Sequence, residues 1–371
     1  RGSQPDCAGT AVRHGAFDQQ LAVAAAFEID LWGKLAARSK AADYSTRANF
    51  AELQTLTLGL VSQLIDLYYL AVEQRAQIRL VDQTIASFSE TQNRVEHRYR
   101  LGVRPAIDVY QARQSLQNAR AGRELFEAGL ANAEHAMAVL IGRYPDRTST
   151  GKLATLPALE TSFPVGLPSQ LLEQRPDLQT AMARIAAADQ NVAAAIADRF
   201  PTINLLATYG RSRQELASGV LSGDFWSLVS GLTLPIFDAG RRQAEVERNQ
   251  AVLREAVAAY RLAVLNAFRE VEDGLANHQA SNLRIRSLEE TETATAATMR
   301  LAWQNYLQGL SDYLPVLTAQ RAHYDTQSHL LAARRQLISH RISLARALGG
   351  NWMVTEIERR LAASPGDQKD E

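Results

Sequence analysis

Seven histidines, at positions 14, 97, 135, 278, 323, 329 and 340, are the side chains best suited to bind a metal or move a proton near neutral pH. None falls in an HExxH pattern, and the chain has no nucleophile elbow and no Walker loop. His323 and His329 stand six residues apart, so they do not share a helix face as an i, i+4 pair would, and they read as surface or interhelical side chains. The single cysteine, Cys7, excludes an internal disulfide framework and the cysteine-based zinc patterns, and reads as an unpaired loop residue. Gly349-Gly350 ends a helix, while Arg175 to Leu178, "RPDL", starts one with proline in the first turn and aspartate near the positive end of the dipole. No catalytic set, no metal site and no cofactor is expected, and the chain is not expected to be an enzyme.

Polar residues of another kind do cluster. Tyr99, Arg104 and Asp108 surround Gly102, and Tyr306 and Asp312 surround Gly309, all within about two helical turns of those glycines. The chemistry open to them is electrostatic. Carboxylates gathered in one place favour cations and accept hydrogen bonds from arginine and tyrosine. The simpler reading is that Asp108 and Asp312 complement the positive N-terminal ends of the helices that follow.

What positions these residues is an internal repeat. "FEIDLWGKL" (Phe27 to Leu35) alternates like a strand, breaks at Gly33 and runs into a helical segment; "LTLPIFDAGRR" does the same at Gly240, and 240 − 33 = 207. Gly102 and Gly309 keep that offset of 207, as do Gly142 and Gly349. Such a spacing reads as a tandem duplication, too long in period for a solenoid. Each copy is strand, long helix, tight glycine turn, shorter helix and glycine stop. The expected elements are a strand at about 18–30, helices at about 33–100 and 105–141, a linker over 143–168, a helix at about 169–198, a strand hairpin at about 200–236, helices at about 240–307 and 312–349, and a disordered tail over 353–371. The first repeat thus covers 1–142 and the second 169–352. A helix over 33–100 would be roughly 100 Å long. Leu53, Leu60, Leu67, Gln74, Val81 and Phe88 recur every seven residues beside Leu64, Ala71, Ile78 and Ile85, which reads as coiled-coil seams; each shorter helix folds back as an antiparallel hairpin.

The strands carry large apolar groups on one face (Leu21, Val23 and Phe27 in the first copy; Trp226, Leu228, Leu232 and Leu234 in the second) and small or polar groups on the other. A membrane strand with lipid outside and water inside needs this pattern, although a soluble half-buried sheet alternates in the same way. The helices leave no apolar layer to cover such a sheet, which favours the membrane reading. Trp226 suits a membrane interface or a core position. By the 207 offset, the first-copy partner of Phe200 falls before residue 1, so one strand is expected to be missing. Two full repeats would supply four strands, below the minimum of about eight for a membrane barrel, so closure would be shared between subunits.

Composition agrees with a helical chain. Acidic and basic residues balance at 40 each and aromatics make up 7%, which gives no support to a nucleic-acid partner. No run of about 18 apolar residues exists, which excludes a transmembrane helix but not membrane strands of about 9–11 residues. "RGSQPDCAGT" lacks the apolar core of a secretory signal, so the chain stays inside or begins downstream of one.

"FEIDLWGKL", "LLEQRPDLQTA", "FPTINL", "LPIFDAGRR" and the paired "YRLG…IDVYQAR" and "YLQG…YLPVLTAQR" together resemble the TolC type of outer-membrane efflux protein, OprM/NodT branch, from about residue 17 to 352. The resemblance implies a mainly α-helical fold with membrane strands: a homotrimer with a 12-stranded β-barrel in the outer membrane of a Gram-negative bacterium, continuous with an α-helical barrel in the periplasm. It implies a passive duct exporting small molecules such as drugs, with a periplasmic adaptor and an inner-membrane resistance–nodulation–division pump as partners. It places the Gly102 and Gly309 turns at the periplasmic aperture, making Tyr99, Arg104, Asp108, Tyr306 and Asp312 gating candidates, Asp312 one position off the usual pattern. Three departures stand out: the first strand is missing, "QPDC" is not a lipobox, and positions often acidic in the family are Pro315 and Thr318. The other readings are a duct for type I protein secretion and a soluble periplasmic coiled-coil adaptor, which would not duplicate a strand–helix unit.

Overall fold

The computed structural model describes residues 18–145, 155–157, 174–216 and 219–350. Cys7, most of the 143–168 linker, the start of the helix expected from 169 and the 353–371 tail lie outside the described residues. The described elements run β1 (Asp18–Ile29), α1 (Lys34–Arg100), α2 (Ala106–Leu140), α3 (Pro176–Ala197), β2 (Thr202–Leu216), β3 (Gly219–Thr233), α4 (Arg241–Leu307) and α5 (Tyr313–Ala347). α1 and α4 have 67 residues each, α2 and α5 have 35 each, and both pairs are offset by 207. α3 is described from Pro176, proline suiting the first helical position, and Gln174 ahead of it is also helical; residues 169–173 of the expected helix lie outside the described residues.

The glycine turns repeat in detail. Gly33, Gly102, Gly142 and their counterparts Gly240, Gly309 and Gly349 all have positive φ, a conformation that costs a side-chain-bearing residue energy. After α1, the Gly102 N–H donates to Tyr99 O and the Val103 N–H to Arg98 O; after α4, Gly309 donates to Tyr306 O and Leu310 to Asn305 O. Both are Schellman closures, which satisfy carbonyls left over at a helix end.

Two compact units follow contacts rather than the repeat boundary: residues up to Arg47 with Ala183–Ala258, and Ala48–Met182 with the residues from Ala259 onward. In the first unit, β2 lies between β1 and β3 and pairs antiparallel with both. The register sets Val23, Tyr209 and Trp226 in one row, and Phe27, Leu205 and Ser230 in another, on the same face. That face is apolar and open, Leu21 being 81% exposed and Trp226 77%. At one end of it Arg211 Nε donates to Asp224 Oδ1 at 2.7 Å. The opposite face mixes Ala22, Ala24, Ala26, Asn204, Thr208, Ser227 and Gly231 with the larger Leu206, Phe225 and Val229. Leu234 falls one residue beyond β3, because Pro235 cannot donate to a ladder and restricts the residue before it.

The strand–helix junctions of this unit are tied by charge. Lys34 Nζ lies 2.7 Å from Glu28 and 3.5 Å from Asp198, and Arg242 lies 3.1 Å from the same Asp198. Trp32 stacks on Phe200 at 4.9 Å and donates its indole N–H to Pro201 O at 2.8 Å.

In the second unit α5 meets three helices. Ser328 Oγ donates to Gln77 Oε1 of α1 at 2.9 Å, Arg321 Nη2 to Ser115 Oγ of α2 at 3.2 Å, and His340 Nδ1 lies 2.9 Å from Ser281 Oγ of α4. Its buried row, Val316, His323, Leu330, Leu337 and Leu344, repeats every seven residues as an interdigitating seam requires. Arg175, just ahead of α3, is buried and bonds Asp177, Glu270 and Ala347 O, fastening α3 to α4 and α5.

The seam of α1 follows the sequence reading at Ala71 and Phe88, which are buried, and at Leu64, Leu67 and Ile78, which pack on the α1–α2 cluster, and departs from it nearer the start of the helix. Leu53 and Leu60 are exposed, and the buried row is Ala48, Ala51, Leu58 and Ser62, then Ala71, Thr84, Phe88, Thr91 and Val95. A pattern weighted by side-chain size overlooks alanine, whose small volume lets helices approach closely. α1 also holds one 18-residue window that by length and composition alone could cross a membrane, which corrects the exclusion of such a helix. Between Thr55 and Val72 the apolar residues are interrupted by Thr, Gly, Ser and Gln, and Asp66 is the one charge.

Gly210 tests the sheet. A Cβ there would meet Leu21 O at 2.5 Å and the Phe225 ring at 2.8 Å, whereas at Gly231, on the same face, nothing lies within 4 Å. Gly210→Val is expected to destabilise the sheet by about 1–3 kcal/mol, as overpacking does, and Gly231→Val far less; thermal unfolding followed by β-sheet circular dichroism compares them.

Candidate functional site

The turns after α1 and α4 bring four helix ends together in the second unit. Val95 of α1, Ala112 of α2, Tyr306 of α4, and Tyr313, Val316 and Leu317 of α5 form a buried cluster, with Trp303 against it. Tyr306 stands edge-on to Tyr313 at 5.7 Å and to Trp303 at 5.9 Å, arrangements that aromatic quadrupoles favour.

Two guanidinium groups close over this cluster. Arg98 donates to Tyr306 O and to Leu307 O, both at 2.9 Å. Arg104 donates to Tyr306 O at 3.2 Å and Ser311 O at 3.0 Å, and its Nη1 lies 3.5 Å from Asp312 Oδ1. Both lie over the Tyr306 ring, Arg104 at 4.6 Å and Arg98 at 5.1 Å from its centroid, within cation–π range. The physical reason is at the end of α4. Its last turn has no basic residue, whereas the last turn of α1 has His97, Arg98 and Arg100. The free carbonyls and negative dipole end of α4 are therefore satisfied by arginines from the other hairpin.

The sequence candidates divide. Arg104, Tyr306 and Asp312 meet, and Asp108 sits beside them, 5% exposed. Tyr99 does not join: it is 47% exposed, while its counterpart Tyr306 is fully buried. The two aspartates have different environments. Asp312 is the N-cap residue of α5, where a carboxylate complements the positive helix end, but it makes no side-chain capping bond and holds its carboxylate out, 91% exposed. Asp108 lies in the first turn of α2 with its Oδ2 buried; neither that atom nor the Tyr306 and Tyr313 hydroxyls have a hydrogen-bond partner among the described residues. Burial pushes the Asp108 carboxyl above the usual carboxylate range; Arg104 pulls it down and Asp312 pushes it up. Burial likewise raises the Tyr306 and Tyr313 phenols. Arg98, Trp303, Ser311 and Tyr313 belong to the site and were not singled out in the sequence. Pro315 and Thr318 lie early in α5, where proline costs no helical bond and Thr318 Oγ1 donates to Leu314 O at 3.0 Å.

A carboxyl raised on folding stabilises the protein fully below its unfolded value of about 4 and loses that contribution as pH rises through the folded value. Asp108→Asn, which mimics the neutral form, is expected to raise the melting temperature at pH about 7 by a margin that vanishes below pH about 4, read by thermal melts across pH.

Comparison with known proteins gives the same picture over most of the chain. The family model described as outer membrane efflux protein matches residues 10–143 and 167–350. The solvent efflux pump outer membrane protein SrpC of Pseudomonas putida is 31% identical over 339 residues, 91% of this chain and 72% of that protein. The cation efflux system protein CusC of Escherichia coli is 30% identical over 88% of this chain and 72% of its own length. Among solved structures, a membrane protein from Pseudomonas aeruginosa superposes with a TM-score of 0.81 at 26% identity, covering 91% of this chain and 82% of that one. A CusC structure gives 0.78 at 26% identity over 90% and 83%. The matches take in both helical hairpins and all three described strands, and the chain belongs to the outer membrane efflux protein family, the outer-membrane channels of tripartite efflux pumps.

Proposed function

We propose that this channel is a passive homotrimeric duct for small molecules, docked to a periplasmic adaptor and an inner-membrane resistance–nodulation–division pump. The observation that carries this reading is the three-stranded sheet, with an exposed row of large apolar side chains on one face, mostly small or polar groups on the other, and, among the described residues, an unpaired edge at β1 and at β3. A membrane barrel needs about eight strands or more and no open edge, so strands pooled from several chains satisfy both demands. The apolar face with Leu21, Val23, Phe27, Trp226, Leu228 and Leu232 then turns to outer-membrane lipid. The relatives' names speak of solvent and cation efflux; for this chain an apolar or amphiphilic small molecule is the proposed cargo. Detergent-dependent extraction, a crosslinkable trimer and discrete currents in planar bilayers test the reading. A protein recovered without detergent as a monomer that carries no current would end it.

The four-helix-end cluster is proposed as the resting closure of the duct. Arg98 and Arg104 hold the α1–α2 turn to the α4–α5 turn, and Asp312, the exposed carboxylate, supplies the acidic ring in preference to buried Asp108. Arg104→Gln removes charged hydrogen bonds worth ~1.5–3 kcal/mol each; it is expected to raise mean bilayer current about tenfold or more, an energy of ~1.4 kcal/mol being tenfold in an equilibrium. Asp312→Ala is expected to lower cation preference and block by divalent cations, measured as reversal potential and current under a salt gradient. Asp108→Ala, without an exposed carboxylate to remove, is expected to change current through the closure and leave selectivity in place.

A further inference from the structure

The two helical hairpins are equivalent by the 207 offset, yet their seams differ in chemistry. Ala71 and Ala133 stand 31 residues on either side of Gly102, and both are buried in the α1–α2 seam together with Leu130 and Met137. At the corresponding places, 31 residues on either side of Gly309, stand His278 and His340. A level nearer the turn is likewise more polar in the second hairpin. Phe88 and Leu116, 14 residues from Gly102 and both buried, are matched across the α4–α5 seam by Thr295 and His323.

These histidines face across the hairpin. His340 Nδ1 lies 2.9 Å from Ser281 Oγ, one turn along α4 from His278, and His323 Nδ1 lies 3.3 Å from Thr295 Oγ1. On its own helix His278 has Asn282, whose amide nitrogen stands 3.4 Å from the imidazole. From α5 the charges of Arg341 and His340 act on it. The acidic groups that α1 brings toward α5 near this level, Asp66 and Glu73, are engaged by Arg335. A proton added between α4 and α5 here therefore meets a second imidazole and a guanidinium.

We propose that the α4–α5 hairpin is a proton-responsive segment, its seam loosened when His278 takes up a proton beside His340, while the α1–α2 hairpin carries alanine at both equivalent places and has no such response at that level. Burial, then Arg341 and His340, hold the His278 imidazole below the usual histidine range. A base depressed on folding contributes stability that is complete above its unfolded value of about 6.5 and is lost as pH falls through the folded value. At a level where the α1–α2 arm carries alanine, acid thus weakens the α4–α5 arm. Where that arm carries half of the closure, acid also favours the open duct; this last step rests on the functional reading above.

The test uses the full chain, extracted in detergent and assembled. Hydrogen exchange is followed in peptides covering residues 274–282 and 337–344, and in the equivalent peptides 67–75 and 130–137, at pH about 7.5 and about 5.5, each corrected for intrinsic chemical exchange. The expected result is a loss of protection of roughly tenfold in the α4–α5 peptides, the factor that one pH unit of differential proton affinity represents, with the α1–α2 peptides unchanged. His278→Ala with His340→Ala, which installs the first copy's residues, removes the response; His278→Gln with His340→Gln removes it while keeping polar side chains. Equal loss in both hairpins, or a response that survives in both double variants, overturns the proposal. Bilayer currents at the same two pH values form a separate arm. Exchange that responds without a change in current leaves the proton-responsive hairpin standing and counts against the closure reading alone.

Discussion

Backbone amides and carbonyls cannot be left unpaired in hydrocarbon, and the described sheet ends on two unpaired edges. Everything else in the chain is arranged around that demand. An apolar outward face on β1, β2 and β3 makes sense only in contact with lipid, and lipid is where an open edge is least tolerable. The salt links among Glu28, Lys34, Asp198 and Arg242 sit where strands give way to helices and tie the place where the chain leaves the sheet.

The duplicated halves are alike in backbone and unlike in side chains. All six repeat glycines keep positive φ, which preserves turn geometry. Tyr99 and Tyr306 occupy equivalent positions, yet one is open to solvent and the other lies beneath two guanidinium groups. Duplication supplied the scaffold, and divergence within one chain let the second hairpin become the clasped partner and the first the clasping one.

Much of this was legible in the sequence because the signals are periodic or local. Turn glycines and the absence of proline between Lys34 and Arg100 announce the helices, and period-two alternation announces the strands. Leu234 was misread because alternation continues past the point where Pro235 ends the ladder. The seam at Leu53 and Leu60 was misread because close packing there uses alanine, which carries little weight in a hydrophobic pattern. At the site, Asp312, Arg104 and Tyr306 were found through their nearness to the glycines. Arg98 was missed because its role is set by another helix: the signal was a long helix ending at Leu307 without a cation, and the partner that supplies one is distant in sequence.

The equal lengths of α1 and α4, 67 residues each, have a consequence for how such a protein can change. Inserting one residue in either helix would turn everything beyond it by about 100° and carry Arg98 away from the carbonyls it caps, or those carbonyls away from it. A change of seven residues would restore the facing, but only if the other helix changed with it. Reach, in this chain, is a quantity that evolution must edit twice in one gene, by whole heptads.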